Sequence, residues 1–304
     1  MPAPAAVPVA DLAFQLAPAS RFTIEQLAAA YNQTRVDYLV PMPMNAARLA
    51  EYIQHYDVDL ERSVVAVADE EILGLGMLGV RSGRTWITRL GVLPGKRRRG
   101  LGWALSRALL AANTELRAER TILEVIKNNT PAYNLFLKHV FEVTRELVVL
   151  RRPPGPPARP PSGEARALDR AEALARLVAR PDPQSWITET ESLAHLEHLT
   201  GLQLVLPDGG RGWLVWQVQM FRGFPLLLSH LTLHAEQGDA AGVGRALLAH
   251  LYQEYPNLDT HTENISAGDP HLPAFTDQGF MESFRRLEMH RLNRQGNTQN
   301  DFSA

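Results

Sequence analysis

The residues with the clearest chemical capacity lie in one stretch, Leu90-Gly91-Val92-Leu93-Pro94-Gly95-Lys96-Arg97-Arg98-Arg99-Gly100-Leu101-Gly102-Trp103. A strand-like run passes through a basic turn into a segment with Leu101, Leu105, Leu109 and Leu116 on one helical face. A helix start presents unpaired N–H groups and about half a positive charge, so it attracts anions. Gly100 and Gly102 let an oxyanion approach the backbone, and Arg97, Arg98 and Arg99 add charge and forked donors. The combination suits a pyrophosphate, whereas a merely solvated charge run would not need the flanking strand, glycines and helix. A P-loop is excluded because no Gly-Lys-Ser/Thr follows the second glycine, and a dinucleotide fingerprint needs a third glycine where Leu105 stands. The literal G-x-G-x-x-G of Gly74–Gly79 is a decoy, since it falls inside a predicted hairpin strand with no helix after it.

The elements that must position this loop follow from periodicity. Before it come a strand near Asp11–Leu16, helices near Thr23–Asn32 and Asn45–His55, and strands near Ser63–Ala68, Ile72–Val80 and Thr85–Val92. After the helix of about Leu101–Glu115 come a strand at Thr121–Ile126, a helix at Pro131–His139 and a strand at Glu142–Leu150. The order is that of a mixed α/β fold. The proline-rich segment 152–163 can neither continue a helix nor donate ladder bonds, so it is expected to be a stiff linker. Domains are therefore expected at 1–151 and 164–304, as a length of 304 residues also suggests.

The second half repeats the later elements of the first. Strands are expected near Leu202–Leu206, Gly212–Phe221 and Pro225–Leu233. A helix opened by Gly242-Val243-Gly244 follows, then a strand near Leu258–Ile265, a short helix at Leu272–Gln278 and a final strand after Phe280. Gly100 to Phe141 spans 41 positions and Gly242 to Phe280 spans 38, which argues for an internal duplication. Residues 164–200 read as helical, so the first strand of this copy is expected to be missing. The ten residues from Gln295 are polar and expected to fray.

With Val92-Leu93-Pro94 before it, Arg97-x-x-Gly100-x-Gly102 resembles the Arg/Gln-x-x-Gly-x-Gly/Ala signature of the GNAT superfamily of acyl-CoA-dependent N-acyltransferases. The run Leu123-Glu124-Val125, followed by Asn129-Thr130-Pro131-Ala132-Tyr133-Asn134-Leu135-Phe136 and Phe141, is similar to that family's second motif. The resemblance covers most of residues 11–150 and implies tandem GNAT folds, the second copy degenerate. It also implies acetyl-CoA as co-substrate. Backbone amides of Arg97–Trp103 would bind the pyrophosphate. The strand through Leu90 and Val92 would splay from its neighbour, so that its backbone groups pair with the pantetheine arm up to Leu93 and Pro94. Asn129 would hydrogen-bond the pantetheine, and Phe136 would pack beside the sulfur.

The family's reaction is direct attack of an amine on the thioester. Glu124 stands where relatives with a Leu-Glu-Val strand, the ribosomal-protein N-terminal acetyltransferases, keep a general base; its bland reading is a solvent-facing strand glutamate. The preceding-strand glutamate of other members is replaced by Trp86. Phe136 replaces the tyrosine that protonates the thiolate, leaving Tyr133, one turn earlier, to substitute or simply to pack. The apolar run Tyr38–Met44 could shape an acceptor pocket or only cap the core. The amine acceptor is expected to be a small molecule or a peptide; tandem duplication also occurs in mycothiol synthase, which makes a small amine-bearing metabolite one possible acceptor. A non-catalytic CoA-binding or interaction protein is the competing reading.

In the second copy, Asp239 replaces the loop arginine and no basic residue precedes Gly242, so weak or no CoA binding is expected there. No metal is expected: the chain has no cysteine, and no carboxylate joins His195/His198 or His230/His234 at ligand spacing. A net charge of −2 gives no footprint for nucleic acid or an anionic membrane. The Ala/Pro-rich start lacks the basic and apolar regions of a signal peptide, so a cytoplasmic protein is expected.

Overall fold

Side chains at the helix starts explain several of the element boundaries. Thr23 and Gln26 form a reciprocal capping box at the start of α1 (Ile24–Gln33), and Asn45 caps α2 (Ala46–His55). The computed structural model describes residues 13–293, so the expected frayed tail from Gln295 and the reading of the extreme N-terminus lie outside the described residues. The chain divides into two compact units, one reaching to Leu123 and including residues from Arg291, the other Glu124–His290.

In the first unit, β1 (Gln15–Pro18), β2 (Val58–Ala68), β3 (Glu71–Arg81) and β4 (Arg84–Val92) pair antiparallel in chain order. The start of β5 (Arg120–Ile126) pairs parallel with β4, from Arg84↔Arg120 to Ile87↔Leu123. The crossover between β4 and β5 is α3 (Leu101–Glu115), whose buried Leu101, Leu105 and Leu109 pack on the sheet. The decoy glycines serve that packing. A Cβ on Gly76 would meet the Leu109 side chain at 2.9 Å, and one on Gly74 would meet the Gly91 carbonyl oxygen at 2.7 Å. A bulge interrupts β4: Thr88 opposes Met77 but Gly91 opposes Leu75, and Arg89 between them has φ 52°.

The second unit holds α4 (Thr130–Lys138), β6 (Glu142–Arg152), β7 (Glu164–Leu168), α5 (Arg170–Val178), α6 (Thr190–Ala194) and β8 (Leu199–Val205). After these come β9 (Arg211–Phe221), β10 (Phe224–Gln237), α7 (Ala240–Glu254), β11 (Asp259–Ser266), α8 (Leu272–Asp277) and β12 (Met281–Leu292), whose Arg291 and Leu292 are assigned to the first unit. Its strand order is β12-β6-β11-β10-β9-β8-β7, with β10 and β11 parallel and the other neighbours antiparallel. The bulge recurs in β10, where Ser229 opposes Gln217, Thr232 opposes Val215, and His230 has φ 53°.

Two expectations differ from this architecture. The segment 164–200 is not wholly helical: β7 is present and pairs with β8, so the first strand of the second copy exists. Its sequence, Glu-Ala-Arg-Ala-Leu, consists of good helix formers at a sheet edge, where pairing overrides propensity. Nor do the compact units part at residues 152–163. The last strand of the first repeat, β6, pairs with β12 and β11 of the second, and the proline-rich segment lies within the second unit. The buried Arg152 anchors it there, stacking on Tyr252 and donating to the carbonyls of Gln278, Gly155 and Pro156.

Candidate functional site

In the first unit the basic loop stays open until its glycines. Pro94–Lys96 form a single tight turn, Arg98 takes φ 61°, and Gly100 takes φ 83°, a left-handed backbone that glycine adopts without steric cost. Helix α3 begins directly after Gly100, which as cap residue offers no side chain to the first-turn N–H groups and makes no capping bond. A Cβ on Gly100 would meet nothing within 4 Å. Leu101 is buried and fixes the start of the helix, while Arg98, Arg99 and Trp103 are exposed beside it. Among the described residues neither Arg98 nor Arg99 forms an ion pair.

Arg97 behaves differently from its two neighbours. Its guanidinium grips both Asp37 oxygens at 2.7 and 2.8 Å, the Thr34 carbonyl at 3.0 Å and the Val92 carbonyl at 3.1 Å. This residue straps the loop to the end of β4 and to the segment after α1. Hydrogen bonding from Arg97 holds the Asp37 carboxyl below its ordinary pKa.

Beyond the bulge, Gly91 and Val92 of β4 remain paired with β3, and Leu93 N–H donates to the Leu73 carbonyl. The Leu90 carbonyl accepts from Arg35 at 3.3 Å. Arg35 lies 4.1 Å from the Tyr31 ring centroid and 5.2 Å from that of Tyr38, and burial lowers its pKa. The Tyr38–Met44 segment is pinned by Asn32, whose side-chain amide bonds both backbone groups of Met44 at 2.8 and 3.0 Å. Trp86 is buried against Tyr52 and Tyr56, a core role.

The remaining predicted site residues lie in the second unit. Glu124 is half-buried on β5, and its Oε1 accepts from Asn264 Nδ2 at 3.2 Å. Asn129 caps α4, its Oδ1 accepting from Ala132 N–H at 3.3 Å, with Pro131 in the first turn. Tyr133 is half-buried on the same helix. Phe136 is buried in edge-on contact with Phe141 at 5.8 Å.

The second copy of the loop is closed. Helix α7 starts at Ala240, before its Gly-x-Gly, so the stretch matching the open loop is wound into a first turn. Asp239 caps that turn, accepting from Gly242 N–H at 2.7 Å and Ala241 N–H at 3.3 Å. Gly244 has a packing reason, since a Cβ there would meet the Ala274 side chain at 2.9 Å. His271 occupies a backbone donor of β10: its Nε2 accepts from Ala235 N–H at 3.0 Å, while Nδ1 donates to Asp269 at 2.7 Å. The spacing of Asp239 ahead of its helix is a readable capping signal. Asp37, Asn264 and His271 had no signal in sequence, because their partners are distant along the chain. Among the described residues there is no group of three or more metal-ligating side chains and no helix long and apolar enough to cross a membrane.

Comparison with known proteins bears on the fold. The acetyltransferase (GNAT) family model matches residues 26–141. A GCN5-related N-acetyltransferase from Sphaerobacter thermophilus superposes with a TM-score of 0.66 at 17% identity, covering 92% of this chain and 95% of the other. A tandem GNAT protein from the clavulanic acid biosynthesis pathway superposes with a TM-score of 0.61 at 15% identity, covering 94% of this chain and 100% of the other. At these identities the likeness is one of fold, and it extends over both repeats. A search of curated protein sequences gives no match.

Proposed function

We propose, from the premise that residues 26–141 are a domain of the acetyltransferase (GNAT) family within a tandem GNAT fold, that this chain is an N-acetyltransferase. In this reading it moves an acetyl group from acetyl-CoA to a primary amine. One observation carries the reading: α3 starts behind a left-handed glycine with no side-chain cap, flanked by two arginines that form no ion pair among the described residues. The Leu101 and Gly102 amides with Arg98 and Arg99 would hold the diphosphate, and Arg97 would keep the loop in shape. The backbone of β4 from Leu90 to Pro94 would align the pantetheine, its course set by the bulge at Arg89. Asn129, as the cap of α4, would meet the pantetheine only through groups not used in capping.

The reaction needs one bond made and one broken. The amine nitrogen attacks the thioester carbonyl carbon, its proton passing to the Glu124 carboxylate directly or through water. Collapse of the tetrahedral intermediate breaks the C–S bond and releases the CoA thiolate, which takes up one proton. Phe136 cannot supply it, and Tyr133 is the nearest hydroxyl in sequence. The acceptor is a small molecule or a peptide.

The buried Phe136 favours one alternative, a CoA-binding protein without turnover. Calorimetric titration with CoA, paired with thiol-release assays on a panel of amines, separates the two. An acetyltransferase binds CoA and releases thiol, and Glu124→Gln lowers kcat by about 10²–10⁴-fold while leaving CoA affinity unchanged. Tight binding with no thiol released from any amine points to the alternative, and no heat with CoA removes both.

A further inference from the structure

The second repeat has closed its own anion site, yet it directs a buried side chain at the carboxylate of the first. Asn264 lies on β11, only 4% exposed, and its Nδ2 donates to Glu124 Oε1 at 3.2 Å. Its Oδ1 accepts from Arg286 Nη1 on β12 at 2.6 Å. The guanidinium fixes which way the amide faces. With the oxygen drawn to Arg286, the NH₂ group must meet Glu124, and the flipped amide would set oxygen against carboxylate and nitrogen against guanidinium. The other end of Arg286 is held by Glu263 Oε2 at 2.6 Å.

The backbone is shaped for this contact. Thr262 opposes Leu150 and Ile265 opposes Val148, so β11 carries one extra residue, and Asn264 within it takes φ 59°. Bulges re-aim side chains, and asparagine is among the few residues other than glycine that occupy the left-handed region readily. The strand thereby turns Asn264 toward Glu124 while Glu263 stays with Arg286. The amide supplies a donor that orients the carboxylate.

We propose that Asn264, held by Arg286, is the positioning residue that aims the Glu124 carboxylate for proton transfer, so that the degenerate repeat serves the base of the other. The proposal rests on Glu124 being that base. The test uses the full chain with Asn264→Gly, because glycine adopts φ 59° freely and preserves the bulge while removing the amide. Asn264→Asp is the second variant, keeping shape and backbone but replacing the donor with a second carboxylate.

Both substitutions are expected to lower kcat by about 10- to 100-fold, with KM for acetyl-CoA and calorimetric CoA affinity within about twofold of wild type. In a Glu124→Gln background, Asn264→Gly is expected to cause no further loss, since it acts through the group already removed. Undiminished kcat in Asn264→Gly overturns the proposal. So does an equal fold-loss in both backgrounds, or a parallel loss of CoA binding, which marks a purely structural role. If Glu124→Gln keeps full kcat, or no amine is turned over, the base assignment fails and this inference with it. A slow Glu124→Gln beside a fully active Asn264→Gly removes the positioning role alone.

Discussion

Helices α3 and α7 each run 15 residues from equivalent points of the two repeats, and their starts are opposites. At α3 the cap is a left-handed glycine and the preceding residues form an open basic loop. At α7 a carboxylate sits on the first-turn amides and the loop is drawn into the helix. His271 completes the contrast by accepting from Ala235, a backbone donor near the end of β10. Both repeats keep the short parallel ladder and the bulge with a positive-φ residue, Arg89 or His230, so the scaffold survives without the anion site. What separates the repeats is whether a cap side chain accepts from the first-turn N–H groups, as Asp239 does at α7, or none does, as at Gly100 of α3. Asp239 occupies the amides that an anion at α7 would need.

The strongest way to break this contrast is to give α3 a cap of its own. Gly100→Asp places a carboxylate at the helix start, and it should lower CoA affinity by about a hundredfold, about 2.8 kcal/mol, in calorimetry. Gly100→Asn carries the same backbone strain and volume without the charge, so it should lose clearly less. Equal losses in the two variants would mean that shape rather than charge separates α3 from α7.

The reverse change is smaller. Asp239→Ala removes two capping hydrogen bonds from α7 and should destabilise the second unit by about 0.5–2 kcal/mol in denaturant unfolding. CoA should still not bind there, because the first turn remains wound and no arginine replaces the lost carboxylate. A second binding stoichiometry in this variant would show that the cap alone closes the site.

Much of this was legible in sequence, and the pattern of what was not has a physical reason. The bounds of α3 follow from the leucine spacing and the glycines, both local. Glu164–Leu168 escaped because an edge strand made of helix formers is decided by its partner β8. The placement of β6 between β12 and β11 escaped too, because strand exchange leaves no local mark. In the site, the open loop was readable, but the division of labour among its arginines was not. Arg97 meets Asp37 across 60 positions, and Asn264 meets Glu124 across 140. No spacing rule reaches that far.

The smallest effect concerns that division of labour. If Arg97 is a strap and Arg98 and Arg99 are the phosphate donors, Asp37→Asn should disturb CoA binding by no more than about threefold, because Arg97 keeps the Thr34 and Val92 carbonyls. Its signature should lie in the pH dependence of stability instead. Asp37 has a depressed pKa in the folded chain, with hydrogen bonding from Arg97 the main cause. A depressed carboxyl stabilises the fold above its unfolded pKa of about 3.9, and that contribution is lost as pH falls through the lower, folded value. Thermal melts of wild type and Asp37→Asn should therefore differ at neutral pH and converge under strong acid. If they run parallel at every pH while CoA affinity collapses, Arg97 is itself a phosphate ligand, and the open loop of α3 uses all three arginines alike.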